Sequence, residues 1–263
     1  MKNIIEINNV TVLRDKIKVL DCINLEISEG TFSVVIGPNG AGKTTLLFLI
    51  NGLLRPTIGN VRVFGEQFKG IQQLLLRKRI GYVPQHIYID QKMPFSVIET
   101  VSIGRFAKIG LFKRISKNDK LIIRNAMELT GILDIAEKPI GHLSGGEKQK
   151  VSIARAIAQE PEIILFDEPI SNLDPKSQKD IINIVEKIYK KTKCTVVFVT
   201  HILSHIPDSC NNVIMLKKGK LVKAGKPDNI INEKTLSALY DCSVRITMVN
   251  SKKHFHKEGI HEV

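Results

Sequence analysis

The sequence predicts an α/β fold with a mostly parallel sheet, an antiparallel β sub-domain and an inserted helical sub-domain. Short apolar runs at residues 31–36, 163–166 and 195–200 are typical of strands buried on both faces, as in a covered parallel sheet. Longer runs at 4–13 and 19–27, mostly alternating or β-branched, flank a charged turn and predict an antiparallel hairpin. The stretch from about residue 96 to 141 has helical periodicity and no convincing strand.

Further elements follow from local signals. A helix is expected from Lys43 to about Leu53, after a glycine-rich loop. Asp174-Pro175 predicts the start of a helix that runs to about Thr192, because proline suits the first helical position. We expect one domain over residues 1–249, with the helical sub-domain at about 90–160 within it, and a polar tail at 250–263.

Composition excludes several classes of protein. The chain has 263 residues, of which 43% are hydrophobic and 25% charged, and these values are typical of a packed globular protein rather than a disordered one. No apolar run approaches the roughly 18 residues of a membrane-spanning helix. The net charge of +13 indicates an anionic partner, which could be nucleic acid, a phosphate ligand or a membrane surface.

Residues 37–44 match the pattern G-x-x-x-x-G-K-[ST] between a predicted strand and a predicted helix. Glycines let backbone N–H groups converge on phosphate oxygens, and the helix N-terminus attracts anions. Lys43 would reach the β- and γ-phosphates, and Thr44 would hold Mg²⁺. The motif predicts a phosphate-loop NTPase core with these candidate binding residues: Gly37, Pro38, Asn39, Gly40, Ala41, Gly42, Lys43, Thr44 and Thr45.

Two carboxylates follow the apolar strand 163–166. The carboxyl end of a buried strand points at the ligand crevice of an open sheet. Asp167 could hold Mg²⁺ there, and Glu168 is the candidate general base for the attacking water. A solvated strand end is the alternative for such a pair standing alone, but the phosphate loop favours catalysis. Which carboxylate faces the metal stays open.

The run LSGGEKQKV at residues 143–151 first predicts a capping box, with Ser144 at the helix N-cap and Glu147 reaching back to it. The same run resembles the signature motif of ABC-type ATPases. The resemblance extends along nearly the whole chain in the expected order, through residues 37–44, Gln85, the signature, Asp167-Glu168, residues 171–174 and His201.

The resemblance implies an ATPase that binds ATP and Mg²⁺ and works as a homodimer. Two copies would pack head to tail, so that Ser144, Gly145 and Gly146 of one face the γ-phosphate held by the other. Gln85 would link Mg²⁺ and the water to the helical sub-domain, His201 would contact the γ-phosphate, and Asp174 would belong to a dimer-contacting loop. Arg14 stands where the family usually has an adenine-stacking aromatic residue.

Residues 80–86, 93–97, 102–105 and 236–245 resemble the ATPase subunit of zinc, manganese and iron importers. This implies separate integral-membrane permease subunits, an extracytoplasmic solute-binding protein in the same system, and a peripheral location on the cytoplasmic face of the cell membrane, with no nucleic acid as partner. Importers of siderophores, haem or cobalamin are the alternative, and an ATPase of iron–sulfur cluster assembly is a further one. A scaffold without turnover is disfavoured because Asp167 and Glu168 are both present.

The positive charge is uneven along the chain. Residues 105–124 contain seven basic residues and one acidic residue, giving 7 − 1 = +6 of the total of +13. The alternatives are a solvated basic face and a face turned towards the permease and the anionic leaflet of the membrane.

Overall fold

A computed structural model describes residues 2–85, 93–110, 113–249 and 252–257. Its strands are, in chain order, β1 Asn3–Arg14, β2 Ile17–Ser28, β3 Phe32–Ile36, β4 Ile58–Val63, β5 Ile80–Val83, β6 Ile163–Asp167, β7 Thr195–Val199, β8 Asn212–Lys217, β9 Lys220–Gly225, β10 Val244–Val249 and β11 Lys252–Lys257. Its α-helices are α1 Lys43–Ile50, α2 Gln72–Arg77, α3 Val97–Ile109, α4 Lys117–Thr130, α5 Gly145–Ala158, α6 Pro175–Thr192, α7 Pro227–Ile230 and α8 Glu233–Tyr240.

The chain divides into two compact units, residues 1–68 with 197–263 and residues 69–196. In the first unit, β1 pairs antiparallel with β2 on one side and with β4 on the other. The β1–β2 register ends at Arg14↔Ile17, which confirms the predicted hairpin and its charged turn. Ile5 and Ile7 of β1 and Ile23 of β2 are fully buried, so the hairpin has one apolar face.

The first unit also contains β3, β8 and β9, adjacent in that order, together with residues 197–199 of β7. β3 pairs parallel with β8, and β8 turns back into the antiparallel β9. The whole of β3 is buried, and the rings of Phe32 and Phe198 pack with their centroids 6.4 Å apart. These findings confirm the expectation that residues 31–36 form a strand covered on both faces.

In the second unit, β5 and β6 form a parallel pair. Helices α3 and α4 lie within the stretch predicted to be helical, and both pack on α5. Both α3 and α4 begin with a capping box, formed by Ser96 with Glu99 and by Ser116 with Asp119. Among the described residues, no helix combines the length and the apolarity that crossing a membrane requires.

Helices α3 and α5 approach each other closely at Gly104. A Cβ atom placed on Gly104 would lie 1.9 Å from the carbonyl oxygen of Arg155, far inside van der Waals contact. The obstacle is helix backbone rather than a flexible side chain. Any larger residue at 104 must therefore push the two helices apart.

Gly104→Ala is expected to lower the free energy of unfolding by about 1–3 kcal/mol, because an overpacked helix contact relaxes only by moving backbone. Thermal unfolding followed by circular dichroism measures the effect. Ala107→Ser, at an exposed position of the same helix, is the matched control and should change stability by only about 0.5 kcal/mol. An unfolding midpoint for Gly104→Ala that equals that of the control would contradict this packing.

Several boundaries differ from the sequence-based expectations. Helix α1 ends at Ile50 instead of about Leu53, because residues 51–54 leave the helix in a turn. The strand β5 was not among the predicted elements. Part of the expected polar tail, residues 252–257, forms β11, which pairs antiparallel with β10. The rest of the tail lies outside the described residues.

Candidate functional site

The phosphate-binding loop lies between β3 and α1 in the first unit. Gly37 approaches β8 so closely that a Cβ atom there would lie 2.0 Å from the carbonyl oxygen of Leu216. Gly42 is the N-cap of α1 and has φ +96°, a backbone conformation that favours glycine. Among the described residues, no side chain makes a capping hydrogen bond at the N-terminus of α1. The positive end of the helix dipole lies at this loop and would attract a phosphate.

The Lys43 ammonium is held inside this loop. Its Nζ donates hydrogen bonds to the carbonyl oxygens of Gly37 at 3.0 Å and Pro38 at 3.1 Å, and the residue is 5% exposed. A phosphate oxygen would be a stronger acceptor for this buried cation than a neutral carbonyl. The remaining predicted loop residues range from buried Ala41, through half-buried Thr44 and Thr45 on the first turn of α1, to exposed Asn39 and Gly40.

His201 belongs to the same unit and follows β7. The N–H of Thr200 donates to the carbonyl oxygen of Val35 at 3.1 Å, which ties the end of β7 to the end of β3. His201 is half-buried. The structure thus brings His201 to the carboxyl end of β3, where the phosphate loop begins. Arg14 is exposed at the tip of the β1–β2 hairpin.

In the second unit, Asp167 is the last residue of β6 and Glu168 follows it. They are 2% and 9% exposed, respectively. Glu168 has φ +46°, which is uncommon for a residue with a side chain. Its carbonyl oxygen accepts bonds from the N–H and the hydroxyl of Ser171, at 3.1 and 2.9 Å. A tight turn therefore directs the Glu168 side chain.

Each carboxylate accepts a hydrogen bond from a side chain in β5 or just after it. The Tyr82 hydroxyl donates to Asp167 Oδ2 at 3.1 Å, and Gln85 Nε2 donates to Glu168 Oε2 at 3.2 Å. Burial, followed by the nearby Asp167 charge, raises the pKa of Tyr82, which keeps its hydroxyl a donor. Gln85 was predicted from the sequence, whereas Tyr82 was not assigned a role.

The predicted capping box at the signature run is present. Ser144 Oγ accepts from the N–H of Glu147 at 3.3 Å, and Glu147 Oε2 accepts from the N–H and the hydroxyl of Ser144, both at 2.8 Å. The Ser144 N–H bond is the main cause that lowers the pKa of Glu147. Ser144 and Gly145 are exposed. The N-terminus of α5, a 14-residue helix, is thus presented to solvent with its positive dipole end.

Gly146 packs against the start of α6. A Cβ atom on Gly146 would lie 2.7 Å from Ser177 Oγ. Asp174 caps α6, since its Oδ1 accepts from the N–H groups of Lys176 and Ser177, both at 3.0 Å. The Ser177 hydroxyl, 2.6 Å from Asp174 Oδ2, is the largest cause that lowers the pKa of Asp174. The structure therefore gives Asp174 a helix-capping contact in addition to its expected place in a partner-contacting loop.

The predicted residues fall into two sets. The phosphate loop and His201 lie in the first unit. Gln85, Asp167, Glu168, Asp174 and the residues 144–146 lie in the second. Within the second unit, the structure brings Gln85 to Glu168 and adds Tyr82 at Asp167. The Asp167 carboxylate and the Gln85 side-chain carbonyl offer oxygen ligands, which suit a hard cation such as Mg²⁺.

Comparison with known proteins places these features in a family. The family model described as "ABC transporter" matches residues 20–171, more than half of the chain. The chain is 35% identical to the manganese transport system ATP-binding protein MntB of Bacillus subtilis over 256 residues, covering 97% of this chain and 99% of that protein. It is 36% identical to the zinc uptake system ATP-binding protein ZurA of Listeria monocytogenes, covering 83% of this chain and 84% of that one.

Two further comparisons concern length and shape. The chain is also 35% identical to YvrA of Bacillus subtilis, an uncharacterised ABC transporter ATP-binding protein, and spans about half of it, 51%. A solved structure described as an inward-facing conformation of a putative metal-chelate type ABC transporter aligns with a TM-score of 0.82 at 28% identity, covering 98% of each chain. The α/β phosphate-loop NTPase fold predicted from the sequence is therefore confirmed. The chain belongs to the ABC transporter ATP-binding family, whose members hydrolyse ATP to drive transport.

Proposed function

We propose that this chain is the ATP-hydrolysing subunit of an importer for a divalent transition-metal ion, with manganese, zinc and iron as the candidate cargoes. The observation that carries the proposal is the extent of similarity to the manganese relative. That similarity covers nearly all of both chains, well beyond residues 20–171 of the family match. The zinc relative supports the same class of cargo.

The nucleotide chemistry of the proposal rests on the loop and the strand ends. The α1 N-terminus and Lys43 bind the phosphates of ATP, and Thr44, Gln85 and Asp167 are the candidate Mg²⁺ ligands. When bound, Mg²⁺ would neutralise charge on the phosphate oxygens. Glu168 accepts the proton of the attacking water, and Gln85 orients this carboxylate through the 3.2 Å hydrogen bond. His201 contacts the γ-phosphate.

A homodimer completes the proposed ATP-bound state. Ser144 and Gly145 are exposed at the N-terminus of α5, so a second copy can approach this positive helix end. Gly146 also belongs to the surface that would face the γ-phosphate held by that copy. Two helix N-termini would then stabilise the charge that develops on the phosphate during hydrolysis. Closure and reopening of the dimer would drive a separate permease, to which a solute-binding protein delivers the cargo.

We propose that the chain lies at the cytoplasmic face of the membrane, in part because residues 113–120 carry exposed positive charge. Lys113, Arg114, Lys117 and Lys120 are exposed, and among the described residues no carboxylate lies within ion-pair distance of them. Arg105 differs from this set because it is buried and paired. An anionic leaflet would attract the four exposed cations, each by about 1 kcal/mol.

Replacing Lys113, Arg114 and Lys117 by glutamine is expected to weaken binding to anionic liposomes that carry the permease, by up to about 100-fold at low salt. Co-sedimentation measures the binding. A triple glutamine variant at Lys179, Lys187 and Lys191, exposed residues of α6, removes the same charge elsewhere and should bind like the wild type. Binding that neither salt nor the first triple variant reduces would contradict the assignment of this face.

The cargo is tested on the complex with its permease and solute-binding protein. We expect ATP hydrolysis by this complex to rise when the binding protein is loaded with manganese, zinc or iron(II) ions. The alternative is an importer of siderophores, haem or cobalamin, which is supported by the similarity, at 28% identity, to the solved structure of a putative metal-chelate type ABC transporter. Stimulation by metal chelates and not by the free ions would establish this alternative. An ATPase of iron–sulfur cluster assembly would respond to neither.

A further inference from the structure

The strand pairing of the second unit places Tyr82 beside Asp167. β5 and β6 run parallel with Tyr82 opposite Leu165 and Val83 opposite Phe166. Side chains alternate along a strand, so Leu165 and Asp167 share one face, and Tyr82 lies on that face as well. The tyrosine ring is long enough to reach one pleat further along the neighbouring strand. Its hydroxyl ends 3.1 Å from Asp167 Oδ2.

This contact fixes one oxygen of a buried carboxylate. Asp167 is 2% exposed and Tyr82 is half-buried, so water competes little for the bond. A hydrogen bond to an ionised acceptor is stronger than one between neutral groups. The bond limits rotation of the carboxylate about its last torsion, which is otherwise broad. Tyr82 therefore sets the plane in which the Asp167 oxygens lie.

We propose that Tyr82 is a positioning residue that holds the Asp167 carboxylate in the orientation that the nucleotide-bound divalent cation requires. The inference rests on the proposed role of Asp167 in holding Mg²⁺. A small cation such as Mg²⁺ demands near-ideal octahedral geometry, so a carboxylate that turns freely binds it less well than a fixed one. Tyr82 acts here as the outer partner that orients a metal ligand.

The same segment orients both carboxylates. Tyr82 donates to Asp167, and Gln85, three residues later, donates to Glu168. A displacement of the end of β5 would therefore disturb the metal ligand and the general base together. A purely structural role for Tyr82 is a weaker explanation, because the backbone register from Ile80↔Ile163 to Val83↔Phe166 already joins the two strands. Phenylalanine would fill nearly the same space.

The test uses Tyr82→Phe, which removes only the hydroxyl. Mn²⁺ serves as the probe, and its binding to the chain with a non-hydrolysable ATP analogue is followed by electron paramagnetic resonance. We expect the Mn²⁺ affinity to fall about ten-fold, as for a lost bond to a charged group. Affinity for the nucleotide in the presence of a chelator should not change. Tyr189→Phe, a half-buried tyrosine of α6, should behave like the wild type in both measurements.

Hydrolysis gives a second readout. In Tyr82→Phe, the rate at limiting Mg²⁺ should fall, and excess Mg²⁺ should restore the wild-type kcat, because the ligand is misoriented and not removed. Asp167→Asn tests the metal role of Asp167 separately from the role of Tyr82. If Asp167→Asn loses Mn²⁺ affinity and Tyr82→Phe keeps it within two-fold, the role of Tyr82 is refuted and that of Asp167 stands. If Asp167→Asn also keeps its Mn²⁺ affinity, the proposed metal role of Asp167 fails.

Discussion

Glu168→Gln is expected to reduce ATP hydrolysis by at least 100-fold while leaving ATP affinity within about two-fold of the wild type. Glutamine keeps the size of the side chain but cannot take a proton from water, and positioned general bases contribute roughly 10²–10⁴-fold to rates. Glu168 follows the end of β6 and is only 9% exposed, so bulk water cannot easily take its place as the proton acceptor. Phosphate release and equilibrium binding of a fluorescent ATP analogue measure the two quantities.

In the proposed cycle, dimer closure precedes hydrolysis and reopening follows it, so the same variant should accumulate as an ATP-bound dimer. Size-exclusion chromatography with ATP and Mg²⁺ should therefore show a dimer for Glu168→Gln where the wild type turns over and separates. Glu128→Gln, at an exposed position of α4, is the matched control and should hydrolyse ATP at the wild-type rate. Near-wild-type hydrolysis by Glu168→Gln would remove Glu168 from the role of general base.

Arg105→Met is expected to lower the midpoint of thermal unfolding by about 10 °C. Arg105 Nε lies 2.6 Å from Asp119 Oδ1, and its Nη1 lies 2.6 Å from Glu160 Oε2. The Arg105 and Asp119 side chains are each 8% exposed. Removing the cation leaves Asp119 as a buried carboxylate without its counter-ion. Because this ion pair connects α3 to α4, its loss should first loosen the packing of these two helices.

The controls separate charge from packing. Lys120→Met, next to Asp119 on the exposed side of α4, should change the midpoint by no more than about 2 °C. Arg105→Met combined with Asp119→Asn should recover part of the loss, because the remaining buried group is then neutral. A midpoint for Arg105→Met within 2 °C of the wild type would show that the ion pair contributes little.

The ion pair also predicts a pH dependence. The Ser116 hydroxyl, followed by Arg105, lowers the pKa of Asp119 from 3.8 to about 2. A lowered folded-state pKa contributes stability that is complete above the unfolded value and is lost as the pH falls through the folded value. For the wild type, this loss falls between about pH 4 and pH 2. In Arg105→Met the folded pKa rises, so this contribution becomes smaller and is lost at higher pH.

Local signals predicted much of the fold. The capping box at Ser144 and the helix that begins after Asp174 are both present. Each depends on residues within four positions of one another, which a sequence displays directly. The strand β5 escaped prediction because it is a parallel strand of only four residues without alternation. The contact of Tyr82 with Asp167 depends on the register of two strands whose paired residues are 83 positions apart in the sequence, which no local pattern reveals.

The number of charged residues in a stretch did not predict which of them are exposed. Arg105 belongs to the basic stretch 105–124, which the sequence presents as a solvated or membrane-facing set. The structure buries Arg105 against carboxylates 14 and 55 residues away. A sum of formal charges contains no information about such pairs. The exposed positive charge of the helical sub-domain is therefore carried by other residues, among them Lys113, Arg114, Lys117 and Lys120.

The central claim is that ATP hydrolysis at this site drives the import of a divalent transition-metal ion. Its most direct test measures metal accumulation in proteoliposomes that contain the permease and this chain, with binding protein and metal on the opposite side from ATP. We predict ATP-dependent accumulation of manganese, zinc or iron(II) with the wild-type chain and none with Glu168→Gln. Accumulation that does not depend on Glu168, or transport of metal chelates with none of the free ions, would contradict the claim.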